Sequence, residues 1–258
     1  EEDHSFYPFE SKKEVDVAIE SATEELDTRI WSRRELDKIE NVLHTAKAIL
    51  ESFKEKFSPS ETRIYVSGRK NFRDNIAVTK EYKGNRIQDK PKHYNAIKEY
   101  LINVHGARIT AGIEADDAIG IESQSLGARS IIVSIDKDLD QLTGWHYDWV
   151  QDRVYWIDRR TAQFNLYTQI LSGDHTDNIP GLEGIGRTKA GKLLEGSENV
   201  ADLHRRTWGA YLRGCGDVES ARRYFLEQAS LVYVLRRPLE EDGGFNPAGP
   251  LDATVESI

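Results

Sequence analysis

The chain has 258 residues, 38% hydrophobic and 31% charged, with 35 basic against 44 acidic side chains and a net charge of −9. That is enough apolar material for one large domain or a core with a small appended module, but no apolar run nears the roughly 20 residues that span a bilayer, so membrane and secreted classes are not expected. One cysteine, Cys215, excludes an intrachain disulfide framework and a multi-cysteine zinc site, and a reducing, cytoplasmic setting is expected.

In chain order, apolar spacing near 3–4 predicts a helix over 13–30 (Val15, Ile19, Ala22, Leu26) and another over 34–57 (Leu36 through Phe53), each laying a stripe on a core. Ser58-Pro59-Ser60 ends the second helix, and Arg63–Ser67 reads as a short strand before a turn at Gly68. Residues 69–91 are charged and nearly aperiodic, which predicts a loop or mobile arch. Helical spacing returns over 92–104 and 114–126. Ser130–Ile135 is a continuous β-branched run, expected as a strand buried on both faces of a parallel sheet, and a further strand is expected over 154–158. Strands alternating with helices predict an α/β core over 1–160 with a basic arch at about 69–92. A helical module follows over 161–238, with helices at 161–171, 188–194, 200–206 and 218–234, and then an acidic Gly/Pro-containing tail over 239–258 that is expected to fray.

Charge is unevenly placed. Glu1 to Glu61 holds 9 basic against 16 acidic residues, whereas Arg63 to His93 holds 9 basic against 3 acidic. A basic stretch inside an acidic protein is the footprint a polyanion requires.

Three acidic clusters stand out: Glu114-Ala115-Asp116-Asp117, Asp136-Lys137-Asp138 directly after the apolar strand, and Asp174 with Asp177 in the Gly-rich loop. Singly, each is ordinary, because acids favour helix first turns and aspartate favours turns. Together they point further. Asp136 and Asp138 follow the carboxyl end of a strand, where α/β sheets bind ligands, and i, i+2 spacing in an extended segment sends both side chains the same way. Crowded carboxylates repel unless cations neutralise them, and hard oxygen ligands select Mg²⁺ or Mn²⁺. Two such ions are a common device for phosphodiester cleavage.

Downstream, Gly181, Gly184 and Gly186 allow a tight hairpin with positive φ, and the helix after it opens with Arg187, Thr188 and Lys189. Free N–H groups and basic side chains there suit a nucleic-acid phosphate. The seven histidines show no ligand spacing, and nothing around Cys215 suggests a nucleophile.

The runs E-A-D-D (114–117), S-x-D-K-D (134–138), G-D-x-x-D-N-I-P-G-x-x-G-I-G (173–186) and Y-K-x-x-R (82–86) resemble the structure-specific 5′-nuclease family of flap endonucleases and 5′–3′ exonucleases, above all its bacteriophage and polymerase-associated members. The resemblance covers about half the chain, from Arg63 to Leu194. It implies a PIN-like α/β core with a mostly parallel central sheet, then a helix-three-turn-helix module. By motif position, Glu114, Asp116, Asp117, Asp136, Asp138, Asp174 and Asp177 would hold the metal ions, with Asp136 and Asp138 also catalytic. Lys83 and Arg86 would lie on an arch or gateway helix against the scissile phosphate. Gly181, Gly184 and Gly186 would hold the duplex backbone, with a K⁺ ion on loop carbonyls. Two departures go with this. The family's first strand, ending in Asp, is expected upstream of Glu1, consistent with the absence of Met. Ser67 stands where the family has Asp in a V-x-D-G turn, a neutral ligand expected to hold an ion through water or less tightly.

The activity expected is metal-dependent hydrolysis near DNA 5′ ends, flaps or duplex junctions, by a monomer that also accepts RNA–DNA hybrids and works beside replication proteins in a cytoplasm, the host's if phage-encoded. Arg69, Lys70, Arg73, Tyr82, Lys83 and Arg86 would meet the single-stranded portion, with Tyr82 or Phe72 stacking on an unpaired base. Arg187, Thr188 and Lys189 would meet the duplex. The alternatives are a PIN-type ribonuclease and a DNA-structure-binding protein with an impaired metal site.

Overall fold

The computed structural model describes residue 14 and residues 38–86 and 90–242. The helix expected over 13–30 and most of the tail lie outside these residues. The compact unit that starts at Ile39 opens with α1 (Ile39–Phe57), followed by β1 (Tyr65–Val66), the single turn α2 (Arg73–Ile76), α3 (Tyr94–His105), β2 (Arg108–Ile109) and α4 (Ala115–Leu126). Then come β3 (Ile131–Val133), a 3₁₀ turn (Lys137–Gln141), β4 (Gly144–Asp148) and β5 (Arg153–Ile157). Four helices complete most of the remainder: α5 (Arg159–Ser172), α6 (Arg187–Leu194), α7 (Val200–Cys215) and α8 (Val218–Val232), before the short α9 (Leu239–Asp242).

Strand pairing is parallel between β1 and β2 and between β3 and β4, and antiparallel between β4 and β5. The class is α/β. Helix α4 packs against both β1 and β3, and Ser67 and Asp136, which follow those two strands, line one cleft. Among the described residues β3 pairs on one side only, its outer residues are half-buried and Ile135 beyond it is 53% exposed, so the expectation of a strand buried on both faces is corrected. Strands β2 and β4 were not foreseen. β2 has two residues, and β4 (G-W-H-Y-D) lacks the aliphatic run that marks a buried strand, although aromatics suit a sheet well.

Local chemistry sets the helix ends. Asp158, Asn199 and Asp217 each accept a backbone N–H three residues on, capping α5, α7 and α8, a contribution of about 1 kcal/mol apiece. Gly216 (φ 81°) ends α7, which runs nine residues beyond its expected end at Arg206 because Ala210 and Tyr211 still bury a face.

The boundary expected near residue 160 falls between β5 and α5, but packing does not break there. Tyr82 belongs to the core built by Leu166, Ile170, Tyr211, Phe225 and Leu231, while Val234 packs with Ile132, Leu139 and Leu142. An extended strap over 233–236 follows α8 and crosses the α/β part. A Cβ at Gly120 on α4 would sit 2.2 Å from the Leu235 carbonyl oxygen, so only glycine admits the strap.

Candidate active site

One cleft of about 810 Å³ gathers residues remote in sequence. Glu114 and Asp116 come from the start of α4, Asp136 and Asp138 from the 3₁₀ turn after β3, and Asp174 and Asp177 from the loop after α5. Lys83, Arg86, Arg187 and Ser67 line the same space.

Asp117 does not. It is 0% exposed and takes two hydrogen bonds from Arg73, at 2.7 and 2.8 Å. It also accepts the Glu114 and Leu235 N–H groups, the first as half of a capping box at the start of α4. Arg73, 3% exposed, also donates to the Leu231 and Tyr233 carbonyls and lies 3.8 Å from Glu114 Oε2. The expectation that Asp117 holds metal is therefore corrected, because Asp117 lies outside the cleft; Arg73, expected to touch DNA, lines the cleft but is largely committed to Asp117 and the core.

Tyr82 is 8% exposed, too buried to stack on a base, and that expectation is corrected as well. Its hydroxyl lies 2.9 Å from Glu114 Oε2 and 3.0 Å from Asp177 Oδ2. Beside it, Lys83 Nζ lies 2.5 Å from Glu114 Oε1 and 3.4 Å from Asp177 Oδ2, and Arg86 pairs with Asp177. The segment carrying these residues is a turn docked on the acidic loop rather than an arch helix. Lys83 (φ 57°) donates its N–H to the Asp177 carbonyl, Asn178 reaches Glu81, and Asn85 reaches the His175 carbonyl.

The other carboxylates lack such partners. Among the described residues, no basic side chain lies in ion-pair range of Asp116, Asp136, Asp138 or Asp174. Burial, then the Asp136 and Glu114 charges, push the Asp116 carboxyl up to about 6. Burial, then Asp136 and a hydrogen bond with Asp174, push Asp138 up to about 8, a titration shared with its neighbour. Asp136 and Asp138 meet through the 3₁₀ turn, with the Asp138 N–H donating to Asp136 Oδ1 at 2.9 Å, and not through the extended spacing expected. This set of hard, mutually repelling oxygens suits a divalent cation. Among the described residues, no three His, Cys, Asp or Glu side chains as they stand form a group that could hold a metal ion. Ser67 turns its hydroxyl to the Ala115 N–H (2.9 Å), acting as a partner for the start of α4.

In the Gly-rich loop, Gly181 (φ 63°) and Gly184 (φ 71°) have positive φ, but Gly186 (φ −80°) does not and serves as the N-cap of α6. Gly181 is buried, its N–H donating to Gln228 Oε1 and its carbonyl accepting from Tyr224, so it shapes the turn and is not available to DNA. A Cβ there would lie 2.3 Å from the Gly173 nitrogen. Gly184 is exposed, and its carbonyl already accepts from Lys189 Nζ at 3.1 Å. Arg187, Thr188 and Lys189 are exposed at a helix start with no side-chain cap. Arg69 and Lys70 are exposed just past Ser67. Gln169, which nothing in the sequence marks, donates to Asp138 Oδ1 at 2.8 Å.

No protein-family model matches the chain. The chain is 32% identical over 157 residues to a 5′-3′ exonuclease of Buchnera aphidicola subsp. Schizaphis graminum, covering 55% of this chain and 54% of that protein. It is 34% identical over 122 residues to flap endonuclease Xni of Shewanella sediminis, covering 42% and 48%. The chain thus spans about half the length of these curated relatives. Among solved structures, bacteriophage T5 5′-exonuclease with bound zinc superposes with TM-score 0.55 at 20% identity, covering 74% of this chain and 80% of that one. The T5 flap endonuclease in a pseudo-enzyme–product complex with DNA and metal ions superposes with TM-score 0.57 at 19% identity, covering 83% and 89%.

The fold is therefore the PIN-like α/β fold of the T5 5′-exonuclease, with a helical C-terminal part. In sequence, over about half its length, the chain is similar to proteins named 5′-3′ exonuclease and flap endonuclease.

Proposed function

We propose that the chain is the metal-dependent 5′-nuclease part of a protein that hydrolyses phosphodiester bonds near DNA 5′ ends. The convergence of Asp116, Asp136, Asp138 and Asp174 on one cleft, with Lys83 and Arg86 on its wall, carries the reading. Divalent cations, Mg²⁺ or Mn²⁺, would be held by those four carboxylates, with Glu114 and Asp177 at the margin. When bound they supply charge neutralisation and an activated water for attack on phosphorus. The metal- and DNA-bound T5 neighbours support this assignment.

The chain's own residues bind and orient. Arg187, Thr188 and Lys189 offer cations and open N–H groups to a duplex phosphate at the start of α6, with Gly184 and Gly186 keeping the approach free of side chains. Arg69 and Lys70 flank the path of a single-stranded 5′ portion. Lys83 and Arg86 exchange their carboxylate partners for the scissile phosphate and offset its developing charge. A K⁺ ion at the hairpin would compete with Lys189 for the Gly184 carbonyl. RNA–DNA hybrids, replication proteins, a monomeric state and a cytoplasmic setting belong to the same reading. So does a helical DNA-binding module starting after β5.

The test is cleavage of a 5′-flap substrate in Mg²⁺. Asp136→Asn abolishes cleavage and leaves flap binding nearly intact; retained cleavage would defeat the assignment. A second reading, a DNA-structure-binding protein with an impaired centre, draws on Ser67, whose hydroxyl is committed to α4, and on the cations already paired with Glu114 and Asp177. A wild-type chain that binds flaps but not Mn²⁺ would favour it.

A further inference from the structure

Two glutamines at the cleft have no part in the reaction proposed above, Gln169 half-buried in its wall and Gln141 buried behind it. Gln141 is 1% exposed and closes the 3₁₀ turn that carries Asp138. Its Nε2 donates to the Val232 carbonyl at 2.9 Å, and its Oε1 accepts from the Val234 N–H at 2.9 Å. The end of α8 and the strap after it therefore hold this amide at both ends. The same Nε2 faces Gln169 Oε1 at 3.4 Å, and Gln169 Nε2 donates to Asp138 Oδ1 at 2.8 Å.

The direction of this chain follows from the chemistry. A side-chain amide has one accepting and one donating end. Two backbone groups of opposite kind fix which way Gln141 points. Its NH₂ then meets the oxygen of Gln169, which leaves Gln169 only its NH₂ to present to Asp138. The strap is itself anchored, because Leu235 N–H donates to Asp117 Oδ1 at 3.1 Å and Arg236 reaches the Gln141 carbonyl at 2.9 Å.

We propose that Gln141 and Gln169 are positioning residues, a two-amide relay that transmits the fixed strap to the Asp138 carboxylate and holds it toward the cleft. The proposal rests on the reading of that cleft as a divalent-cation site. It names residues that act on a ligand rather than as ligands. Partners of this kind fix a ligand's rotamer, and their loss typically weakens metal binding about 10–100-fold.

Calorimetry with Mn²⁺ on the whole chain tests it. Gln169→Leu and Gln141→Leu each weaken Mn²⁺ at least about 10-fold. The double variant is no weaker than the worse single one, because both break one relay. Duplex affinity in EDTA stays within about twofold throughout, the scatter expected of an uncoupled site. Unchanged Mn²⁺ affinity with a lowered melting temperature would reduce both residues to packing, and losses that multiply would break the relay into two unrelated contacts. Gln169 is half-buried, so its variant tests the proposal even where Gln141→Leu fails to fold. Nuclear magnetic resonance on the metal-free protein separates the relay from the cation reading. The Gln169 side-chain amide signals shift on Asp138→Asn and on Gln141→Leu, and signals unmoved by both overturn the relay. If the wild-type chain binds no Mn²⁺, the cation site fails, and the amide signals alone decide the relay.

Discussion

Asp117 and Asp138 come from similar short acidic motifs, yet their surroundings differ in kind. Asp117 is sealed in the floor beneath the cleft, with a bidentate arginine and two backbone donors. Asp138 stands in the cleft wall facing Asp136 and Asp174, with one neutral amide donor and no ion-pair partner among the described residues. The floor is electrostatically finished, whereas the wall gains from a cation. Glu114 and Asp177 fall between the two, already offset by Lys83 and Arg86. An acidic motif alone does not announce which of these its members will be.

The contrast breaks most visibly if the floor is opened. Asp117→Ala leaves Arg73 buried without its partner, and urea unfolding should show a loss of about 3–5 kcal/mol. A loss below about 1 kcal/mol, the scale of an exposed pair, would mean the floor is not closed. Asp138→Asn should do the reverse to stability while removing function. At neutral pH the metal-free wild type must hold a proton or a repelled charge at Asp138, a cost that Asn spares, so the variant melts at a higher temperature, and Mg²⁺-dependent cleavage is lost.

The pH dependence of the metal-free protein sharpens the same point. Asp116 (up to about 6) and Asp138 (up to about 8) bind protons more tightly folded than unfolded, where the ordinary value is 3.8. Their contribution is complete below pH 3.8 and is lost as pH rises through about 6 and then about 8. The melting temperature of the wild type relative to Asp138→Asn should therefore fall between pH 5 and pH 8 on the ~1.4 kcal/mol-per-unit scale of proton linkage, and Mn²⁺ should restore more of it at pH 8 than at pH 6. A difference that ignores pH would leave Asp138 an ordinary carboxylate. Smallest in stability is Lys83→Ala. Its pairs are partly exposed, so the expected loss is about 1 kcal/mol or less. The cleavage rate should nonetheless drop far more than duplex affinity, as single-turnover kinetics beside equilibrium binding would show.

The residue types at the cleft were legible because catalytic chemistry restricts them. Six of the seven acids named from the sequence line one cleft, and α3 to α6 and α8 fall where the sequence put them, whereas α7 runs past its expected end and α9 lies in the expected tail. The burial of Arg73 and Tyr82 was not legible, since a charged, aperiodic segment reads as solvated until the core it enters is known. Gln141 and Gln169 gave no signal, because a glutamine acquires a role only from what it faces.

Composition, periodicity and motif spacing by themselves determined the α/β-then-helical order, the acidic clusters and the Gly-rich turn before a basic helix start, all of which are local properties. Only the tertiary structure decided which acid meets an arginine and which meets another acid. That choice depends on the strap after α8 crossing the α/β part and closing over Asp117, a contact between residues more than 100 positions apart, which no local pattern encodes.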